Sequence, residues 1–152
     1  MNITSLEGLI TNITDNYKAD KNLLSIAKYL EVYQGQDWKN YVVQNYNYYK
    51  NLVFRNDDLE IYIITWISGA SSRIHDHPEK GCLLKVLQGE LTETEYTKDD
   101  LDINYKNTKT LKKDDIGFQI SNTILHKINN MMKDIAVSLH IYSKPNFMIT
   151  YY

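Results

Sequence analysis

The chain has 152 residues, 43% of them hydrophobic, a formal net charge of −2 at pH 7 and a single cysteine. That length suits one domain, and the mildly acidic balance without a basic stripe argues against nucleic acid as the main partner. No membrane-spanning apolar run or signal-peptide pattern is present and one cysteine excludes an internal disulfide, so no membrane partner and a cytoplasmic location are expected.

The first 45 residues read as helical. Thr4 and Glu7 suggest a capping box, and Leu6, Leu9, Ile10, Ile13 and Tyr17 follow helical apolar spacing. A second helix is expected with Asp20 as cap, then Leu23, Leu24, Ala27 and Leu30, and Gly35 shortly after its end. Asp37 to Gln44 suggests a short third helix.

From about residue 51 the pattern changes to short β segments with turn signals between them. Strands are expected near 51–55, 59–67, 72–77, 82–88, 90–97, 101–105, 109–111, 116–120, 123–129, 135–143 and 147–151. Gln88-Gly89-Glu90 and Lys98-Asp99-Asp100 are turn-like, and the only prolines, Pro78 and Pro145, stand where strands should stop. The pattern is mainly β, a sandwich or small barrel over 51–152 preceded by N-terminal α-helices in one domain spanning 1–152.

The chemistry begins at His75-Asp76-His77, followed by Cys82. Two histidines one residue apart on a strand point to the same face and can share a metal ion. His126, in a later strand-like segment, offers a third imidazole. Imidazole suits iron, copper, nickel and zinc, so ligand softness alone leaves the metal open. Glu79, Glu93 or Glu95 could supply a carboxylate for a two-histidine, one-carboxylate site.

The spacing Gly69-(x5)-His75-x-His77-(x4)-Cys82-(x6)-Gly89 resembles the first cupin motif, with Cys82 where a glutamate is usual. Asp115-Ile116-Gly117 through His126 and Asn130 is similar to a loose second motif. The resemblance implies a cupin-type double-stranded β-barrel (jelly roll) with a metal inside.

Longer runs sharpen it. Ser72-Arg73-Ile74-His75-Asp76-His77, Cys82-Leu83-Leu84-Lys85-Val86-Leu87-Gln88-Gly89 and Ala136-Val137-Ser138-Leu139-His140-Ile141-Tyr142-Ser143 resemble the cysteine dioxygenase family. So do Tyr48-Tyr49-Lys50-Asn51-Leu52-Val53, Trp66 and the region of Trp38 and Tyr41. The resemblance implies an enzyme that adds both atoms of O2 to the sulfur of L-cysteine, giving cysteine sulfinic acid. It implies one Fe(II) per chain on His75, His77 and His126, with a small thiol and O2 as partners and a monomeric state. It further implies a Cys82–Tyr142 thioether as a protein-derived cofactor, and Ser138, His140 and Tyr142 as a hydrogen-bonded row with catalytic roles. Those three residues alternate along one strand and so share a face.

Two departures bear on substrate. The family carries arginine where Lys50 stands, and lysine keeps the charge but loses the bidentate fork for a carboxylate. Tyr48 and Lys50 remain substrate-binding candidates, with Arg73 as compensation if a regular strand turns it inward beside His75. The segment after Tyr142 is also shorter than usual, with Met148–Tyr152 as a closing strand and a more open site expected. Another thiol, 3-mercaptopropionate or cysteamine, and a non-catalytic metal-binding cupin are the alternative functions.

Overall fold

The structure, a computed structural model of the chain, describes residues 1–119 and 123–152. Leu6, Leu9, Ile13 and Tyr17 recur at helical spacing and form the buried face of α1 (Leu6–Asp20). Its cap is Ser5 rather than Thr4: the Ser5 hydroxyl accepts from the Gly8 N–H at 3.0 Å. Asp20 still belongs to the last turn of α1, so it cannot cap the next helix. Asn22 does so, accepting from the Leu24 N–H at 3.0 Å. The expected second helix is a 3-10 turn, Leu23–Ile26, followed by α2 (Ala27–Val32), and the third is a 3-10 turn, Asp37–Tyr41.

Eight strands follow: β1 (Tyr48–Arg55), β2 (Glu60–Trp66), β3 (Cys82–Gln88), β4 (Glu90–Asp99), β5 (Asp102–Lys112), β6 (Ile116–Gln119), β7 (Ile124–Asn129) and β8 (Ala136–Tyr142). Residue 120, the end of the expected strand 116–120, lies outside the described residues. One sheet has the order β1-β2-β8-β3-β6 and the other β5-β4-β7, all neighbours antiparallel. Between β3 and β4, Gly89 has φ +75°, and a Cβ there would lie 2.9 Å from the Ile135 carbonyl oxygen.

Side chains alternate across the larger sheet. Ile61, Ile63, Leu83, Leu139 and Ile141 pack outward into the helical layer. Ile64, Trp66, Leu84 and Val86 pack inward against Leu91, Leu111 and Ile128 from the β5-β4-β7 side. The interior between the sheets is thus a separate core, and the candidate site lies in it. Lys85 ties the helical layer down: its buried ammonium donates to the Leu30 and Tyr33 carbonyls at 2.7 and 2.8 Å. These oxygens end α2, where a cation is favoured by the helix dipole.

Four expected strands are corrected. Residues 101–105 and 109–111 are one strand, β5, because β4 pairs with it throughout apart from one irregularity beside Tyr96. Residues 72–77 form an irregular loop. Ser71 bridges Asn129 and His75 bridges His126, so four steps on the loop face three on β7 and no continuous ladder forms. Residues 147–151 also fail to make a strand, meeting the fold through a single bridge from Tyr151 to His75. Among the described residues, no helix is long and apolar enough to cross a membrane.

Candidate metal centre

The loop 70–81 runs beside β7, and paired backbone hydrogen bonds between His75 and His126 at 2.9 and 3.0 Å lock the two histidines together. Their ring centroids are 4.5 Å apart, and those of His77 and His126 are 5.8 Å apart. Each ring has its Nδ1 engaged by an oxygen. His75 donates to the Arg73 carbonyl at 2.7 Å, His77 to the Pro78 carbonyl at 3.2 Å, and His126 to Glu93 Oε2 at 2.8 Å. Such bonds fix the tautomer that leaves Nε2 as a lone-pair donor.

Among the described residues His77 Nε2 is buried with no hydrogen-bond partner, which a metal ion would supply. Burial, with His126 nearby, pushes the His75 imidazole down to about 3, and burial also lowers His77. Neutral rings are the ligating form. The rings do not yet close on a common point: among the described residues no group of three His, Cys, Asp or Glu side chains is set to hold a metal. The donor set nevertheless fits a dication, with three imidazole nitrogens and an oxygen behind each ring.

The three carboxylate alternatives are used elsewhere. Glu79 is exposed in the loop. Glu93 faces the back of His126, with Lys109 Nζ 3.4 Å from its other oxygen. Burial works to raise the Glu93 carboxyl, but His126 and Lys109 outweigh it and hold the group below its usual range. Glu95 takes a hydrogen bond from Gln119 and lies 3.4 Å from the same lysine. Glu93 therefore positions the His126 ring, a role that only its placement behind that ring reveals.

On the opposite wall, strand register sets out rows of side chains. Lys50 is opposite Ile64, Ile64 opposite Ser138, and Ser138 opposite Val86. Tyr62 is opposite His140, and Glu60 opposite Tyr142, which is itself opposite Cys82. Ser138, His140 and Tyr142 make a continuous chain: Ser138 Oγ to His140 Nε2 at 2.8 Å, and His140 Nδ1 to Tyr142 Oη at 3.2 Å.

Trp66 sets the direction of that chain. Its indole N–H, which can only donate, lies 2.9 Å from Ser138 Oγ. Among the described residues the other partner of Ser138 Oγ is His140 Nε2, so the arrangement that satisfies the Ser138 proton has it donated there. Burial, reinforced by the Lys50 charge, holds His140 far below its usual range, so the ring is neutral and its one proton is on Nδ1. That proton goes to Tyr142 Oη, and the Tyr142 hydroxyl proton is left to donate onward. Burial, with Glu93 second, pushes the Cys82 thiol up; burial, with Cys82 second, pushes Tyr142 up. Both groups are neutral at pH 7. The sequence flagged Trp66 only by position, because indole hydrogen bonding depends on the β2–β8 register.

Lys50 reaches the same cavity. Its ammonium lies over the Tyr62 ring at 4.6 Å and the Tyr142 ring at 5.0 Å, and burial lowers its pKa. Among the described residues no carboxylate lies within 4.0 Å of it. The cavity itself has a volume of about 30 Å³, with Tyr48, Lys50, His75, His126, His140 and Tyr142 in its walls and Ile149 and Tyr151 at its mouth. Tyr48 stacks on Trp66, with centroids 4.8 Å apart. Arg73 stands apart from this assembly. It is exposed, and its guanidinium lies over the outer Tyr151 ring at 5.1 Å, because the loop does not keep strand alternation.

The structure defines a two-sheet antiparallel β protein that holds a histidine cluster beside a polar relay. The sequence profile of the family "Cysteine dioxygenase type I" matches residues 3–152. "Cysteine dioxygenase type 1" of Danio rerio is 32% identical over 151 residues, covering 93% of this chain and 75% of that protein. The Rattus norvegicus protein of the same name is 33% identical over 150 residues, with the same coverage. Among solved structures, a Klebsiella pneumoniae protein with a double-stranded beta-helix domain matches 74% of this chain and 86% of its own, at a TM-score of 0.58 and 18% identity. Bacillus subtilis oxalate decarboxylase matches 72% of this chain and 29% of its own, at 0.57 and 15%. The last two establish the fold alone. The chain belongs to the cysteine dioxygenase type I family.

Proposed function

We propose that this protein oxidises L-cysteine with O2 to cysteine sulfinic acid at one Fe(II) held by His75, His77 and His126. The observation that carries the reading is the set of three imidazoles, each anchored through Nδ1, with His75 and His126 lining the same cavity as His140 and Tyr142, where the relay ends. The reaction needs no outside reductant, since both oxygen atoms end on sulfur, which gives up the four electrons that O2 takes. Bound iron supplies a redox-active Lewis-acid centre at which thiol and O2 meet.

The chain's own residues bind, orient and supply a proton. Lys50 takes the substrate carboxylate, which ends the isolation of its buried ammonium. Trp66, Ser138 and His140 hold the Tyr142 hydroxyl as a donor aimed into the cavity, where it stabilises charge developing on oxygen. Glu93 keeps the His126 lone pair directed inward. The apolar walls, Ile64 and Ile128, exclude water from the reacting atoms.

Cys82 and Tyr142 face one another across the β3–β8 ladder. A thioether between Cys82 Sγ and a Tyr142 ring carbon would form with loss of two hydrogen atoms to O2. Intact mass of the protein after aerobic turnover tests this: the linked chain is lighter by two hydrogen masses.

The preference for a carboxylate-bearing thiol follows from Lys50, so 3-mercaptopropionate is the second reading and cysteamine is disfavoured. Anaerobic loading with Fe(II), then O2 uptake and sulfinate yield with L-cysteine, 3-mercaptopropionate and cysteamine, separates them. No uptake with any thiol despite bound iron would overturn the proposal.

A further inference from the structure

A second cavity, of about 250 Å³, lies against the first and shares Lys50, Tyr142 and Ile149 as common walls. Its other lining residues include Arg55, Glu60, Tyr62 and Phe147. The first cavity, at about 30 Å³, has room for little more than a water or two. Substrate atoms beyond the reacting end must therefore use space on the far side of Lys50.

A strand irregularity builds the far wall. Lys50 and Arg55 are five residues apart, so in a regular strand they would face opposite ways. The β1–β2 register shifts between Leu52 and Phe54, so that Lys50 is opposite Ile64, Leu52 opposite Tyr62 and Arg55 opposite Glu60. Ile64, Tyr62 and Glu60 share one face of β2, and so the shift brings Arg55 onto the face that carries Lys50. Such bulges re-aim side chains beside active sites.

Arg55 is also held in a fixed pose. Its Nε donates to Glu60 Oε1 at 2.9 Å, and Glu60 is in turn satisfied by the Tyr62 hydroxyl at 3.0 Å and the Asn146 N–H at 2.6 Å. Glu60 already accepts three hydrogen bonds, whereas the guanidinium, which also meets the Tyr62 hydroxyl, keeps outer N–H donors and its side chain is 43% exposed. Two cations thus line one face in series, an ammonium at the boundary of the catalytic cavity and a guanidinium in the larger one.

We infer that the cavity beyond Lys50 is a subsite for a thiol substrate extended on its carboxyl side, the amino-terminal cysteine of a short peptide, with Arg55 taking the terminal carboxylate. This rests on the thiol dioxygenase reading above. The cysteine thiol and amine stay at the metal, its peptide carbonyl accepts from Lys50, and the next residue fills the larger cavity.

L-cysteine, L-cysteinylglycine and L-cysteinylglycine amide serve as probes against the Fe(II)-loaded protein. Affinity is measured without O2 by calorimetry, and kcat/KM is measured with O2. The dipeptide is expected to bind at least as tightly as L-cysteine and to be oxidised to its sulfinate. Amidation removes the far carboxylate without touching the protein, and should weaken binding on the order of tenfold, the scale of one charge-assisted hydrogen bond. Arg55→Gln should abolish that amide penalty while leaving L-cysteine affinity unchanged, and Arg55→Lys should restore part of it. An equal amide penalty in wild type and Arg55→Gln would overturn the assignment. So would binding of L-cysteine without binding of the dipeptide. Failure of all three thiols to bind would instead overturn the dioxygenase reading and the subsite with it.

Discussion

Replacing Trp66 by phenylalanine tests the direction of the proton chain with little change of shape. The indole N–H is the only fixed donor in the row Trp66–Ser138–His140–Tyr142, and it bonds Ser138 Oγ at 2.9 Å inside the barrel. Without it both Ser138 lone pairs are open to His140 Nε2–H instead of one, so the preference of the ring for the Nδ1–H form that serves Tyr142 weakens. The deleted hydrogen bond costs about 1 kcal/mol, and the smaller ring adds about 1–2 kcal/mol through lost packing against Tyr48. Stability should therefore fall by roughly 2–3 kcal/mol, read from urea midpoints at constant m-value. The kinetic effect should fall on kcat, by on the order of tenfold for about 1.4 kcal/mol of lost transition-state stabilisation, with KM nearly unchanged. Nitrogen NMR of His140 should show the tautomer shifting from Nδ1–H towards Nε2–H. Ser138→Ala should reproduce the kcat loss, and the double variant should lose no more than either single one, as expected for residues acting in one chain. An unchanged His140 tautomer with an unchanged kcat would refute the reasoning.

Lys50→Met removes the buried ammonium, and should raise KM for L-cysteine on the order of tenfold while leaving cysteamine kinetics alone; equal effects on both thiols would show that Lys50 does not meet the carboxylate. Glu93→Gln keeps a hydrogen-bond acceptor behind His126 but removes its charge, so Fe(II) affinity by competition with a chelator should drop by roughly 10–100-fold, with the fold intact by circular dichroism. Lys85→Met leaves the Leu30 and Tyr33 carbonyls without their donor, and should lower the urea-derived stability by roughly 2–3 kcal/mol with metal binding unaffected. For the metal-free protein, His75 takes a proton at about 3 when folded and near its ordinary 6.5 when unfolded. Below 6.5 the unfolded chain binds more protons, so this stability is present above 6.5 and is lost as pH falls towards 3. The slope is up to about 1.4 kcal/mol per pH unit for each such histidine, and a urea midpoint that does not change between pH 7 and pH 5 would contradict it.

Features set by local alternation were legible in the chain itself. The apolar run ending at Gln88-Gly89 marked β3 at Cys82–Gln88, and Ser138-x-His140-x-Tyr142 marked one face of β8, because a strand's side chains alternate whatever it pairs with. The helical face Leu6, Leu9, Ile13 and Tyr17 was equally readable from its spacing. The histidines were legible by type and by the motif spacing that resembles a cupin, and the expectation that they act together came through resemblance rather than through any local rule.

What the tertiary structure decided depends on pairing between distant segments. The loop holding His75 and His77 has the wrong step count to ladder with β7, so His75 is placed by bridges to His126 and Tyr151, and neither ring is placed by strand alternation. Glu93 became the support of His126, and Trp66 the donor that orients the relay, only through contacts across strands. Arg55 faces the larger cavity because one register shift in β1 reverses the face that counting along the sequence would assign to it. The sequence by itself determined which residue types stand at the motif positions and the period of the elements that hold them. Register, bulges and cross-strand hydrogen bonds, which no single segment encodes, decided where each of those side chains points.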